Sequence, residues 1–354
     1  MHRNIEIQRR FWEGDGPCLI LIPPPEGDAY TLEDYPNRFE NPSVMWNSEF
    51  VRAQRVADWP TDGIPTIRPN LGVIFIPAMA GLSYKVQPDQ MPWPGEPLDR
   101  SRIRAARGVD VTTTDLMRRA EAFYTAHREL GDGDIVPYHA DTQGVFDIAH
   151  LLYGEELFYE LPDQDEVGWI AELMDICYDL YVRTSQHLKG LLGEAPSEMI
   201  HGHGTSQGLY FPHAGVRMAE DTATLLSPGT IERVILPAIE RAAQPFGGAF
   251  VHYCGRHSAF FEQLCRMECV RAIDLGNPEM YDTSSLLERC GETGTVLYSR
   301  VAPESETETW EAYVRRLAAM VNRTGARVAL RPAIVPKTRE ECAAMRDLWH
   351  ELTR

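Results

Sequence analysis

The chain has 354 residues, 44% of them apolar and 24% charged, a composition that excludes wholesale disorder. Its 52 acidic against 34 basic residues leave a formal charge of −18, which repels a phosphate backbone or an anionic membrane surface and argues against nucleic acid as a partner. At roughly 150 residues per domain the length suggests two domains, but a single barrel can use all of it.

The first ten residues are polar, and the apolar run 19–22 leads straight into Pro23-Pro24-Pro25 with no small-residue cleavage pattern, so no secretory leader is expected. Runs such as 19–22 and 72–79 fall far short of the roughly 20 residues of a spanning helix, so no membrane partner is expected. Seven cysteines, an odd number spread along the chain, read as free thiols in a reducing compartment. The expected location is therefore cytoplasmic. Residues 1–65 are rich in proline and aromatics with little periodicity, which predicts an N-terminal arm packed on the following domain, 66–354.

From residue 72 the pattern becomes regular. Short apolar runs at 72–77, 134–139, 199–203, 216–220, 249–254, 272–275, 295–298 and 327–330 read as strands. Between most of them lie helical stripes. The segment 167–192 sets Ile170, Leu173, Ile176, Cys177, Leu180 and Tyr181 on one face, and 231–242 repeats the pattern. Pro228 suits a first turn there, and Pro237 predicts a kink. Further helices are expected at 258–272, 310–322 and 337–352. Eight strands alternating with helices predict an α/β fold, a single (β/α)8 TIM barrel carrying the N-terminal arm.

In such a barrel chemistry collects at the C-terminal ends of the strands. Those ends are polar here: His139 and Asp141, His201 and His203, Glu220 and Asp221, His252 and Cys254, Asp274 and Asn277, then Arg300 and Arg331. Asp141, Glu220, Asp221, His252 and Cys254 are the candidate catalytic groups, and His139, His203, Asn277, Arg300 and Arg331 the candidate substrate contacts. The segment Phe250-Val251-His252-Tyr253-Cys254 stands out because a strand alternates its faces. His252 and Cys254 then project together and can offer imidazole nitrogen and thiolate sulfur to one metal ion, for which zinc is the natural candidate. An ordinary core pair is the alternative reading. Cys265 and Cys269 share a helical face and read as core, and His201-Gly202-His203 reads either as a second metal half-site or as a solvated loop.

From residue 58 onward the sequence resembles the uroporphyrinogen decarboxylase superfamily, which holds the tetrapyrrole decarboxylases and the corrinoid-dependent methyltransferases. The resemblance rests on Asp62-Gly63-Ile64-Pro65, Gln143-Gly144-Val145-Phe146-Asp147, Tyr153-Gly154-Glu155-Glu156-Leu157, Ala219-Glu220-Asp221-Thr222-Ala223-Thr224, Val251-His252-Tyr253-Cys254-Gly255, Ile273-Asp274-Leu275-Gly276-Asn277 and Val335-Pro336-Lys337-Thr338. It implies the same barrel. The arginine-rich N-terminal motif of the true decarboxylases is not recognisable, whereas His252-x-Cys254 and the acidic 219–224 motif are similar to the methyltransferase branch. That branch implies methyl transfer from a corrinoid partner protein or a small methyl donor, with zinc activating the acceptor thiol. The family's third zinc ligand is a cysteine in a Gly-Cys-Gly turn, and Arg331-Pro332-Ala333 stands there instead. Glu220, His203 or Cys290 would then have to complete the site, or no zinc binds and the arginine favours an anion. The alternatives are a decarboxylase of a tetrapyrrole or another carboxylated substrate, with Arg300 and Arg331 holding carboxylates and Asp141 or Glu220 handling the proton, and a non-catalytic barrel binding an anionic small molecule.

Overall fold

The structure, a computed structural model, describes residues 4–25, 27, 31–161 and 167–354. Twelve strands follow one another along them: β1 (Leu19–Ile20), β2 (Ile64–Ile67), β3 (Tyr84–Gln87), β4 (Gln90–Pro94), β5 (Val136–Pro137), β6 (Met199–His201), β7 (Gln207–Phe211), β8 (Val216–Ala219), β9 (Ala249–Tyr253), β10 (Val270–Leu275), β11 (Val296–Val301) and β12 (Val328–Pro332). The chain is α/β. Six strands form a parallel sheet in the order β1-β12-β11-β10-β9-β8, and a curled second sheet runs β5-β2-β7-β6. β3 and β4 make a separate hairpin in the proline-rich stretch. No helix of the described residues is long and apolar enough to cross a membrane.

Strands β8 and β9 are buried at every position, as expected where helices cover one face and core side chains the other. The helix Trp310–Thr324 shows how sequence sets the covering layer. Thr309 caps it by accepting from the Ala312 N–H, Tyr313, Val314, Leu317 and Val321 form the buried stripe, and Gly325 ends it in the left-handed region. Thr338 and Glu341 form a reciprocal capping box on the last helix, Arg339–Leu352. At Pro237, where a kink was expected, the structure has a π-helical turn, Ile231–Ile235, followed by the regular helix Leu236–Ala243 with Pro237, which has no N–H to donate, in its first turn.

Three expectations need correction. Residues 72–74 lead by a turn into the helix Phe75–Met79, which takes up 75–77, and the strand of that region is β2, eight residues earlier in the chain, where Pro65 and Thr66 obscured its apolar pattern. The N-terminal segment is no appendage, because Leu19 and Ile20 pair with Ala329 and Leu330 at the edge of the main sheet. The helix expected at 258–272 stops at Cys265, since Val270 already starts β10.

The segment before β2 reaches β1: the Asp62 N–H donates to the Ile20 carbonyl at 3.0 Å, while the Asp62 carboxylate accepts from the Ile20 N–H at 2.8 Å. The Tyr138 N–H donates to the Ile67 carbonyl, continuing the pairing of β5 with β2 inside the second sheet, and the Thr142 hydroxyl lies 3.5 Å from the Arg217 carbonyl of β8. The antiparallel β6–β7 hairpin, unforeseen in the sequence, sets Phe211 against the Phe250 ring with centroids 4.7 Å apart.

Candidate metal and substrate site

Parallel register builds the site. His252 on β9 pairs with Asp274 on β10, so both side chains point the same way, and the His252 Nδ1–H donates to Asp274 Oδ2 at 2.8 Å. The same carboxylate oxygen lies 3.1 Å from His203 Nε2, and the two imidazole centroids are 4.3 Å apart. Burial alone would lower His252, but the charge and hydrogen bond of Asp274 outweigh it and push the imidazole up to about 9. His203 is held well below the usual histidine range, first by burial and then by the nearby Arg217 and His252.

With Nδ1 engaged, His252 presents Nε2. The Cys254 Sγ lies 3.4 Å from it, against the roughly 3.5 Å between sulfur and nitrogen on one tetrahedral zinc. Asp221 Oδ1 lies 3.6 Å from the same nitrogen, close to the roughly 3.4 Å expected for oxygen and nitrogen ligands. All three ligand atoms fall within 4.8 Å of one another. Asp221 is aimed by the Cys254 N–H, which donates to Oδ1 at 2.6 Å. Gly276 is required beside the thiol, because a Cβ there would stand 2.6 Å from Sγ. Asp221, His252 and Cys254 therefore fit a zinc ion as three protein ligands, with Asp274 as the carboxylate that orients the histidine.

A cavity of about 460 Å³ opens beside this triad, lined by Arg68, Asp141, Arg217, His203, Asp221 and His252 among others. Arg217 Nη1 donates to Asp141 at 3.1 Å, and Arg68 lies 3.6 Å from its other oxygen. Burial would raise the Asp141 carboxyl, but the two guanidinium charges and Gln143 hold it below the ordinary range. Arg217 is only 7% exposed, and its Nε is a buried donor with no hydrogen-bond partner. His203 Nδ1 is likewise buried and unpartnered. Such groups cost roughly 1–3 kcal/mol each when left unsatisfied, so they are suited to meet a polar ligand.

No family model matches the chain, and neither does any curated protein.

Of the ten residues singled out in the sequence, Asp141, His203, Asp221 and His252 line this cavity, and Cys254 lies beside His252. Glu220 does not. It is wholly buried, accepting from the Phe146 and Asp147 N–H groups at the start of the helix Val145–Tyr153, while Asp147 accepts from the Asp221 and Thr222 N–H groups. This reciprocal clamp makes Glu220 an architectural group rather than a catalytic one. Burial raises both carboxyls, helped by the charge of Asp147 beside Glu220 and by that of Asp221 beside Asp147, which is pushed up to about 7. His139 is absorbed by Glu194, 3.2 Å away, and Asn277 holds the turn after β9 by accepting from the Gly255 N–H. Arg300 and Arg331 open into a different cavity. Cys290 is buried against Cys265, whose hydrogen bond and surroundings raise its thiol, so it is no third ligand. The third group beside His252 and Cys254 is Asp221.

Arg68 and Arg217 were missed. Arg217 carried a signal, a lone charge inside the apolar run Val216-Arg217-Met218-Ala219. Arg68 did not, because the strand preceding it went unread.

Proposed function

We propose that the chain is an enzyme similar to the methyltransferase branch of the uroporphyrinogen decarboxylase superfamily, moving a methyl group from a corrinoid protein or a small donor to a thiol acceptor. The observation that carries this reading is the approach of Cys254 Sγ and Asp221 Oδ1 to His252 Nε2, at 3.4 and 3.6 Å, with Asp274 behind the histidine. When bound, zinc supplies the Lewis acidity that lowers the pKa of an acceptor thiol. The chain's own residues do the rest. Asp274 fixes the His252 tautomer, Arg217 and Arg68 bind an anionic group of the acceptor, and Asp141 keeps the two guanidinium groups apart and oriented.

The proposed framework is one closed (β/α)8 barrel of β1, β2, β5 and β8 to β12, in which the Asp62–Ile20 and Thr142–Arg217 hydrogen bonds join the two sheets. Within it, the His252 and Cys254 end of β9 belongs to the face where barrels assemble their sites.

Metal analysis is the test. Purified protein exposed to zinc and dialysed should retain about one ion per chain, as expected for three protein ligands. Cys254→Ser and Asp221→Asn should lose that ion while keeping the parent's circular dichroism. Zinc retained by both variants, or by neither variant nor the parent, would overturn the reading. In the last case the buried Arg68–Asp141–Arg217 group favours the second reading, an enzyme that decarboxylates a carboxylated substrate held by these arginines.

A further inference from the structure

Two outer helices leave a cleft between them that the metal site does not use. On one wall the helix Val167–Leu192 presents Ile170, Met174 and Tyr178, and on the other stand Val234, Pro237 and Ala238, at and just after the π-helical turn Ile231–Ile235. Residues three and four apart share a helix face, so both walls are apolar stripes, yet they enclose about 410 Å³ instead of closing on each other. That is the size of a small-molecule site.

Among the described residues, the only charged side chains lining the cleft are Arg233 and Arg241. Arg241 is committed. Its Nη2 donates to Asp175 at 2.8 Å, and its guanidinium carbon lies 3.7 Å from the centroid of the Tyr178 ring. Arg233 is exposed, and among the described residues neither a hydrogen bond nor an ion pair holds it. At ~1.5 Å per helical residue the two arginines stand about 12 Å apart along the axis, at opposite ends of the cleft. A cation without a counter-ion beside enclosed apolar surface, on a chain of net charge −18, suits an anion with an apolar tail.

We infer that this cleft binds a linear aliphatic carboxylate of roughly eight to ten carbons, the length that spans it, with the head group on Arg233 and the tail running past Met174 and Ala238 toward Tyr178. Burial of the tail supplies affinity in proportion to its length, and the guanidinium selects the charged head. No ligand of the metal triad lines the cleft, so the assignment does not depend on zinc or on methyl transfer.

Isothermal titration of the full chain with hexanoate, octanoate and decanoate, near neutral pH and at constant ionic strength, tests it. Saturable 1:1 binding is expected, tightening roughly tenfold for each two methylenes added. Octanoate should bind roughly tenfold more weakly to Arg233→Gln than to the parent, whereas the neutral 1-octanol should bind both equally. Ala238→Trp, which fills the cleft, should abolish binding of both. Arg233 is exposed, so its replacement should leave circular dichroism and the urea midpoint unchanged, and weakened binding is then not misfolding. Arg217→Gln, in the polar cavity beside the metal triad, should leave octanoate affinity unchanged. Absence of saturable binding, affinity independent of chain length, loss in Arg217→Gln with retention in Arg233→Gln, or 1-octanol bound by the parent as tightly as octanoate would each overturn the proposal. So would a dimer in sedimentation that Ala238→Trp makes monomeric, since a second copy of the chain would then cover the cleft.

Discussion

At the scale of single residues, one carboxylate decides what the histidines can do. Asp274 accepts from His252 Nδ1 and faces His203 Nε2, so His252 is left with Nε2 as its ligand atom. Asp274→Asn replaces a charged acceptor by an amide that also has to place two donors, and it should weaken zinc binding by roughly 10–100-fold, measured by competition with a chromogenic chelator. Gly276 makes a sharper test, because a methyl group there invades the space of the Cys254 sulfur without touching any ligand chemistry. Gly276→Ala should reduce zinc affinity by about as much as Asp274→Asn while circular dichroism and melting change little. A variant that keeps the parent's affinity would mean that Cys254 is not a ligand. His252 and Cys254 were legible as a pair from strand alternation alone. Their third partner was not, because Asp221 lies on a different strand end and reaches the pair only through the β8–β9 register.

At the scale of elements, buried carboxylates fasten helices to strands. Glu220, at the end of β8, takes the start of the helix Val145–Tyr153, and Asp147, in that helix, takes the start of the helical turn Asp221–Leu225. Glu220→Ala strands two buried N–H donors and should cost about 2–4 kcal/mol in urea unfolding, the sum of a lost cap and a desolvated pair. Glu194 fastens another corner, receiving Lys189 at 3.1 Å and His139 at 3.2 Å. Burial would raise its carboxyl, but His139, Lys189 and the Ile200 N–H together hold it below the ordinary range. With a folded pKa below the unfolded one, the unfolded chain binds more protons in that window. The stabilisation is thus complete above the unfolded value of about 4.3 and is lost as pH falls through the folded value. Glu194→Gln should therefore destabilise the protein at pH 7 and flatten its loss of stability below about pH 4, read from urea midpoints across pH. Parallel curves for parent and variant would contradict the assigned ion pairs.

At the scale of the whole molecule, the N-terminal helix Asn4–Glu13 ties β7 to the segment that enters β2. The Gln8 side chain donates to the Asp62 and Gly208 carbonyls and accepts from the Tyr210 N–H, while the Asn4 amide donates to Thr61 and Gly63. Trp12 adds a hydrogen bond to the Tyr210 carbonyl. Gln8→Ala removes three partners from groups that water does not reach, and it should cost about 2–4 kcal/mol. The loss should appear as a lower urea midpoint with an unchanged slope, because the tie holds two non-adjacent stretches of the chain that unfold with the rest. A reduced slope with an unchanged midpoint would show instead that the segment frays independently.

Sequence by itself determined the alternation of strands and helices over most of the chain, the existence of the helices around 310–322 and 337–352, and the adjacency of His252 and Cys254. These follow from local rules, namely the side-chain periodicity of helices and strands, which acts within a few residues. Only the tertiary structure decided that residues 19–20 complete the main sheet, that Glu220 is a clamp while Asp221 joins the histidine and thiol, and that Arg68 and Arg217 share Asp141 in one cavity while Arg300 and Arg331 share another. Each of those outcomes depends on strand register and on which charged groups meet at distance. An acidic residue at the end of a strand looks the same in sequence whether it faces a helix N-terminus or an open cavity, and only burial and the partners brought to it distinguish the two.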